Sequence, residues 1–290
     1  MKNITSRLLL SALTLLVVVP SGFAQRQLGK KKGPVSKIYI ADAQGETQIE
    51  NGEKIYTLHQ ASAFDAPGSV IETKANSYNA VVYSNGTGMF VDENSRVEIQ
   101  HFVQQPFEPN NEGTLDSSHE PSMSQSNVFL SHGAVGICTN QLLSGSSMIY
   151  ATPLGSVNIR GGKLVIEAQG DETHIDLLEG DVTVRATDKD IGGQILHAGE
   201  RAVIRLGDSG PAVTIMPIPD EAKTRNERRV AAACSGRKSV TFEALALSSE
   251  DSAGEAAGAD DPGQAIVVRP TVPSEPPANI VISPDRLPGT

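Results

Sequence analysis

The chain has 290 residues, 24 basic and 34 acidic, for a net charge of −10, and this length suffices for one large domain or two small ones. The acidic excess repels nucleic acid and anionic lipid alike, so a nucleic-acid partner is excluded. There is no Trp and aromatic residues make up only 4%, so the core must be mainly aliphatic, and no fixed-length repeat marks a repeat protein.

Residues 1–24 have the three parts of a cleavable export leader. Lys2 and Arg7 form a positive start, Leu8 to Val19 an apolar run broken only by Ser11 and Thr14, and Pro20 ends it. Gly22-Phe23-Ala24 places small residues where a signal peptidase needs them, so the cut is expected between Ala24 and Gln25. The apolar run is shorter than the ~20 residues that span a bilayer, and no Cys follows it to take a lipid anchor. Cleavage removes two of the 24 basic residues and none of the 34 acids, moving the net charge from −10 to −12. The expected location is the periplasm or the extracellular space, with no stable membrane insertion after cleavage. Residues 25–36 read as a basic flexible N-terminus; the cluster Arg26 to Lys32 is the ordinary solvated charge of such a tail.

Residues 37–218 read as strands throughout. Val157-Asn158-Ile159-Arg160, Val182-Thr183-Val184-Arg185 and Val97-Glu98-Ile99-Gln100 alternate apolar and polar, and Lys163-Leu164-Val165-Ile166 does so less cleanly. Each such segment shows one face to a core and one to water. Turn signals separate them: Asn85-Gly86, Gly161-Gly162, Glu179-Gly180, Gly192-Gly193 and Gly207-Asp208. No crossover helix is visible before residue 219, which leaves an all-β sandwich, roll or solenoid. Residues 104–125, with Pro106, Pro109 and Pro121, read as a long exposed loop between two halves of the region.

Residues 219–234 (PDEAKTRNERRVAAAC) predict one helix, with Asp220 and Glu221 near its start and Arg228 and Arg229 further along. Residues 235–290 form an Ala, Gly, Pro and acidic tail expected to be disordered, since it has too little apolar surface to offset the entropy of ordering. Two short apolar patches interrupt it, Ala265 to Pro270 and Ile280 to Ile282. Cys138 and Cys234 are the only cysteines. An oxidising compartment permits a bond between them, and the sequence equally permits two free thiols.

From Gly68 to about Ile204 the chain resembles the FecR domain, named after bacterial iron-transport regulators. The likeness rests on Gly68-Ser69-Val70-Ile71-Glu72-Thr73 with Ala80-Val81-Val82-Tyr83, then Met89-Phe90-Val91 and Asn94-Ser95-Arg96-Val97-Glu98-Ile99. It continues through Asn127 to Gly133 (NVFLSHG) to its best match, Ala151-Thr152-Pro153-Leu154-Gly155-Ser156-Val157-Asn158-Ile159-Arg160-Gly161, which contains the form TP-x-G-x-V-x-[VI]-R-G. Asp176 to Val184 (DLLEGDVTV) and the Ala198-Gly199-Glu200 turn complete it. The resemblance implies an all-β, roll or solenoid-like domain, here followed by a short helix and the tail, and a role in binding and signalling rather than catalysis. Two departures stand out. A leader occupies the place of the cytoplasmic and transmembrane parts of signal-transducing members, so the chain is not expected to hold a sigma factor directly. Gly162 and Lys163 stand where the family usually continues with Thr and an acid.

Side chains that could carry chemistry are dispersed. His59, His101, His119, His132, His174 and His197 share no ligand spacing. Gly68-Ser69 and Gly145-Ser146-Ser147 lack a nucleophile-elbow context. Asp171, Glu172 and Asp176 sit around a turn, and Gly86 and Gly88 precede a strand rather than a phosphate-binding helix. No catalytic, cofactor-binding or metal residue is therefore expected, and no cofactor. The reading is an exported, non-enzymatic FecR-domain protein that binds another envelope or secreted protein, as a signalling or scaffold module. Its contacts are expected at the 104–125 loop, the C-terminal apolar patches, or an open strand edge to which a partner adds. The alternatives are a carbohydrate-binding or polysaccharide-active β protein, with Tyr83 or Tyr150 as exposed platforms, and a structural surface protein whose tail is a spacer.

Overall fold

The structure, a computed structural model, describes residues 36–58, 62–105, 107, 118–186, 192–208, 210–242 and 268–270. The expected leader with its expected Ala24–Gln25 junction, all of the 25–36 segment but Ser36, and most of the 235–290 tail lie outside the described residues. So do His59, Pro106 and residues 108–117.

Among the described residues, seventeen strands precede one helix. They are β1 (Lys37–Gln44), β2 (Thr47–Asn51), β3 (Lys54–Thr57), β4 (Ser62–Asp65), β5 (Ser69–Thr73), β6 (Tyr78–Tyr83), β7 (Gly88–Val91), β8 (Arg96–Gln104) and β9 (Ser124–Thr139). They continue with β10 (Ser147–Ala151), β11 (Ser156–Ile159), β12 (Gly162–Gln169), β13 (Glu172–Glu179), β14 (Asp181–Arg185), β15 (Gln194–His197), β16 (Glu200–Gly207) and β17 (Gly210–Pro217). Helix α1 (Asp220–Lys238) follows, then β18 (Val240–Phe242), which pairs antiparallel with β19 (Val268–Pro270). The helix runs one turn beyond the stretch its sequence predicts. The Ala265–Pro270 patch of the tail supplies β19. Strands β8 and β9 take Gln104, Ser124 and Gln125 from the expected loop, and Glu120 within it is buried.

The array folds into two layers joined through one strand. One layer runs β4–β1–β6–β7–β9–β12–β13–β16–β17. The other runs β3–β2–β5–β8–β9–β10–β11–β14–β15. All these pairings are antiparallel except β9 with β10. Strand β9 belongs to both layers: its first half pairs with β8 and β10, its second with β7 and β12. The change of layer falls at Gly133, whose φ of 91° is one an L side chain rarely adopts. A Cβ there would also lie 2.2 Å from Ser95 Oγ, which accepts a hydrogen bond from the Ala134 N–H at 2.9 Å.

Alternate residues of both layers meet in one aliphatic core, with Ile38, Val81, Met89, Ile137, Leu164 and Ile175 from one side and Ile71, Ile99, Leu130, Val157, Ile159 and Val184 from the other. Burying such a side chain fully contributes roughly 1.5–3 kcal/mol. Tyr83 and Tyr150 belong to this core, at 2% and 1% exposure. Both direct their hydroxyls toward Met89 Sδ, at 3.8 and 3.7 Å, and the Tyr83 ring meets Phe102 edge-on. They are not exposed platforms, which corrects the expectation placed on them. The reason is the phase of their strands: each is in step with core residues on the same face.

The best-matching motif serves the fold. Between β10 and β11, the Thr152 N–H donates to the Gly155 carbonyl at 2.7 Å, and Thr152 Oγ1 lies 3.0 Å from Thr173 Oγ1. At the departure from the family pattern, a Cβ on Gly162 would lie 2.0 Å from the Glu179 carbonyl, and Lys163 pairs with Glu179.

Candidate functional site

Helix α1 lies across the outer face of the layer that contains β1, β6, β7, β9 and β12. Its buried residues are Ala222, Asn226, Arg229, Val230, Ala233 and Gly236, a helical stripe with two polar members. The sheet beneath is trimmed to receive it. A Cβ on Gly88 would sit 2.1 Å from the Ala233 carbonyl oxygen, and one on Gly136 would sit 2.7 Å from the Arg229 carbonyl carbon. Gly236 in turn lies against Ala41, Ala80 and Val82. Small residues on both sides let backbone approach backbone, which a larger side chain would prevent.

Two kinds of bond hold the helix. Cys138 of β9 and Cys234 of α1 form a disulfide, their Cα atoms 5.3 Å apart. Nearer the helix start, a buried ionic network ties three strands to it. Arg201 of β16 grips Asp176 of β13 with two hydrogen bonds, at 2.5 and 2.6 Å, and the Asn226 amide donates to the same carboxylate. Arg229 donates to Asp92 at 2.6 Å and to Glu167 at 3.1 Å, and Arg225 lies 3.6 Å from Glu167. Donation to the Asp176 carboxylate holds the Arg201 guanidinium above its ordinary range, against the opposing effect of burial. Charged groups this buried are stable only when paired and hydrogen-bonded.

One flank of the helix stops short of the sheet and leaves a groove of about 1020 Å³. Its floor is Ala41, Ala80 and Phe90, with Tyr78 beside Phe90 at a ring-centroid distance of 5.4 Å. The acids on the sheet side are engaged: Asp42 accepts from the Tyr78 hydroxyl at 3.0 Å, Glu93 from the Asn76 N–H at 2.6 Å, and Asp92 from Arg229. Burial first, and then Asp42, raise the Tyr78 hydroxyl above its usual range, so it stays protonated as that donor. On the helix side, exposed Arg228 has no hydrogen bond or ion pair among the described residues. The groove therefore offers an aromatic floor and an unspent cation.

The sequence candidates for chemistry fall apart in space. Among the described residues, no three His, Cys, Asp or Glu side chains are grouped to hold a metal. His174 pairs with Glu172 and His197 with Asp181, both at 2.9 Å. Asp176 is committed to Arg201, while Glu172 is held below the usual carboxylate range by Arg205 and then His174. Ser69 Oγ donates to the Asp65 carbonyl and Ser146 Oγ accepts from the Ser124 N–H, so both brace turns. Glu120, from the expected loop, accepts from Ser124 Oγ at 2.6 Å and the Leu143 N–H at 2.8 Å. No helix among the described residues is long and apolar enough to cross a membrane.

Residues 69–183 match the family described as FecR protein, so the chain contains a FecR domain, spanning β5 to the first part of β14. The match is shorter than the 68–204 resemblance and leaves out the Ala198-Gly199-Glu200 turn. Two crystal structures of a protein described as a candidate anti-sigma factor from Parabacteroides distasonis ATCC 8503 are similar to the chain, at 14% and 13% identity and TM-scores of 0.38 and 0.37. Each similarity covers 53% of this chain and 62% of the other. No curated protein matches.

Proposed function

We propose that the chain is an exported, non-enzymatic FecR-domain protein that binds another protein of the cell envelope or secretome and works as a signalling or scaffold module. The observation that carries this reading is the groove beside α1. A floor of Phe90 and Tyr78, bounded by a free Arg228 and by acids already engaged, suits an apolar segment of a partner that also presents a carboxylate. The FecR match and the leader-like residues 1–24 support the protein-binding role and the location. The strands alternate between layers in pairs, β10–β11, β12–β13, β14–β15 and β16–β17; we read this as a roll that fixes the helix and groove rigidly. Formation of the Cys138–Cys234 bond in an oxidising compartment belongs to the same proposal.

The test is cross-linked pull-down of the mature chain from envelope fractions, with Arg228→Glu and Phe90→Ala as comparisons. A discrete protein adduct on the parent chain that weakens at least tenfold in both variants is the expected result. An adduct indifferent to both substitutions would remove the groove from the account.

A further inference from the structure

Strand β17 ends one of the two layers, and among the described residues nothing pairs with its outer edge. The other terminal strands, β3, β4 and β15, have only four residues each, and β3 and β4 carry the charges of Lys54 and Asp65. Short, charged strands are the usual protection of a sheet edge. Strand β17 has eight residues, GPAVTIMP, with no charge and no bulge in its register from Glu200↔Pro217 to Gly207↔Gly210.

That register identifies the open backbone groups. Antiparallel partners alternate between pairs that exchange hydrogen bonds and pairs that do not. The Ile218 N–H donates to the Gly199 carbonyl at 2.9 Å, so 212, 214 and 216 bond to β16 while 211, 213, 215 and 217 face outward. The opposite phase would require N–H donors from Pro211 and Pro217, which have none. Both prolines thus sit where they cost no bond to β16. They leave Val213 and Ile215 as the outward N–H donors, flanked by proline carbonyls. The side chains of these two residues pack, half-buried, against the main core.

We infer that β17 is a strand-addition site for an extended, uncharged segment of a partner protein. The segment pairs with the N–H and C=O groups of Val213 and Ile215 between the limits set by Pro211 and Pro217. It places apolar side chains at alternate positions, over the end of the core that Val213 and Ile215 leave partly open. Main-chain bonds supply affinity, and a charge at a core-facing position is excluded because it would be buried unpaired. The inference rests on the protein-binding reading but uses a surface separate from the α1 groove.

The test is amide exchange by NMR on residues 25–290, alone and with a capped peptide of alternating Thr and Val as the probe. Alone, Val213 and Ile215 exchange freely while Thr214 and Met216 are protected; the probe then slows Val213 and Ile215 by about tenfold or more. Ile215→Pro removes an outward donor and no bond to β16, so it abolishes the slowing while Tm stays within a few degrees. Arg228→Glu leaves the slowing intact, so failure at the groove and failure at the edge are told apart. The inference is overturned by protection of Val213 and Ile215 in the dilute isolated chain, which would mean the chain covers its own edge. Protection that appears only as protein concentration drives dimer formation, or no response to the probe, overturns it equally.

Discussion

Arg201 and Asp176, on neighbouring strands, form a two-pronged ion pair at 2.5 and 2.6 Å beneath the first turns of α1, with side chains only 10% and 4% exposed. Removing one partner leaves the other charge buried and unpaired. Asp176→Ala is therefore expected to cost about 3–5 kcal/mol, read from urea denaturation. The double variant Asp176→Leu with Arg201→Met should recover most of that loss. Equal losses in the single and double variants would show that the pair contributes only through packing.

The Cys138–Cys234 bond closes a sequence separation of 96 residues and pins the C-terminal half of α1 to β9. Changing both to Ser should cost about 2–4 kcal/mol. The loss should be local as well as global. Amides of α1 from Ala231 onward should exchange faster, while those of β12 and β13 keep their protection. Uniform loss of protection across the sheets would contradict the description of α1 as a separately held layer.

Close approach of helix to sheet makes a sharp comparison among glycines. Gly136→Val places atoms where the Arg229 backbone lies and should destabilise by about 1–3 kcal/mol, with the Arg229 contacts to Asp92 and Glu167 disturbed. Gly192→Ala meets open space and should be near neutral. Thermal unfolding of both variants decides the point.

Burial raises the Tyr83 and Tyr150 hydroxyls well above the usual tyrosine range. The folded state thus keeps protons that the unfolded chain releases from about pH 10. Stability from this source is complete below that pH and falls as pH rises through the alkaline range. Ultraviolet titration should show Tyr83→Phe and Tyr150→Phe removing only the late, unfolding-linked part of the tyrosinate signal. Their loss from the early part would place the rings at the surface.

Much of the β region is legible locally. Alternation in Val157–Arg160 and Val182–Arg185, and glycine at the turns, locates β11 and β14 without reference to anything distant. The helix is legible from its charged ends more than from its buried face, because that face includes Asn226 and Arg229. The run Ala80-Val81-Val82-Tyr83 carried a signal of its own: a strand apolar on both faces is covered on both, here by the core and by α1. The same run makes Tyr83 an interior residue. The ionic network left no such trace, since Arg229 meets Glu167 and Asp92 across separations of 62 and 137 residues. The passage of β9 between layers was equally hidden, because Gly133 also suits the end of a strand.

Whether the groove beside α1 receives a partner protein is decided by site-specific photo-cross-linking in the producing cell. A photoreactive residue in place of Ala232 or Ser235, both lining the groove, should give one discrete protein adduct. The same residue in place of exposed Gln100, on β8 in the other layer, should give none. Absence of a protein adduct at both groove positions, or the same adduct from position 100, would contradict that role of the groove.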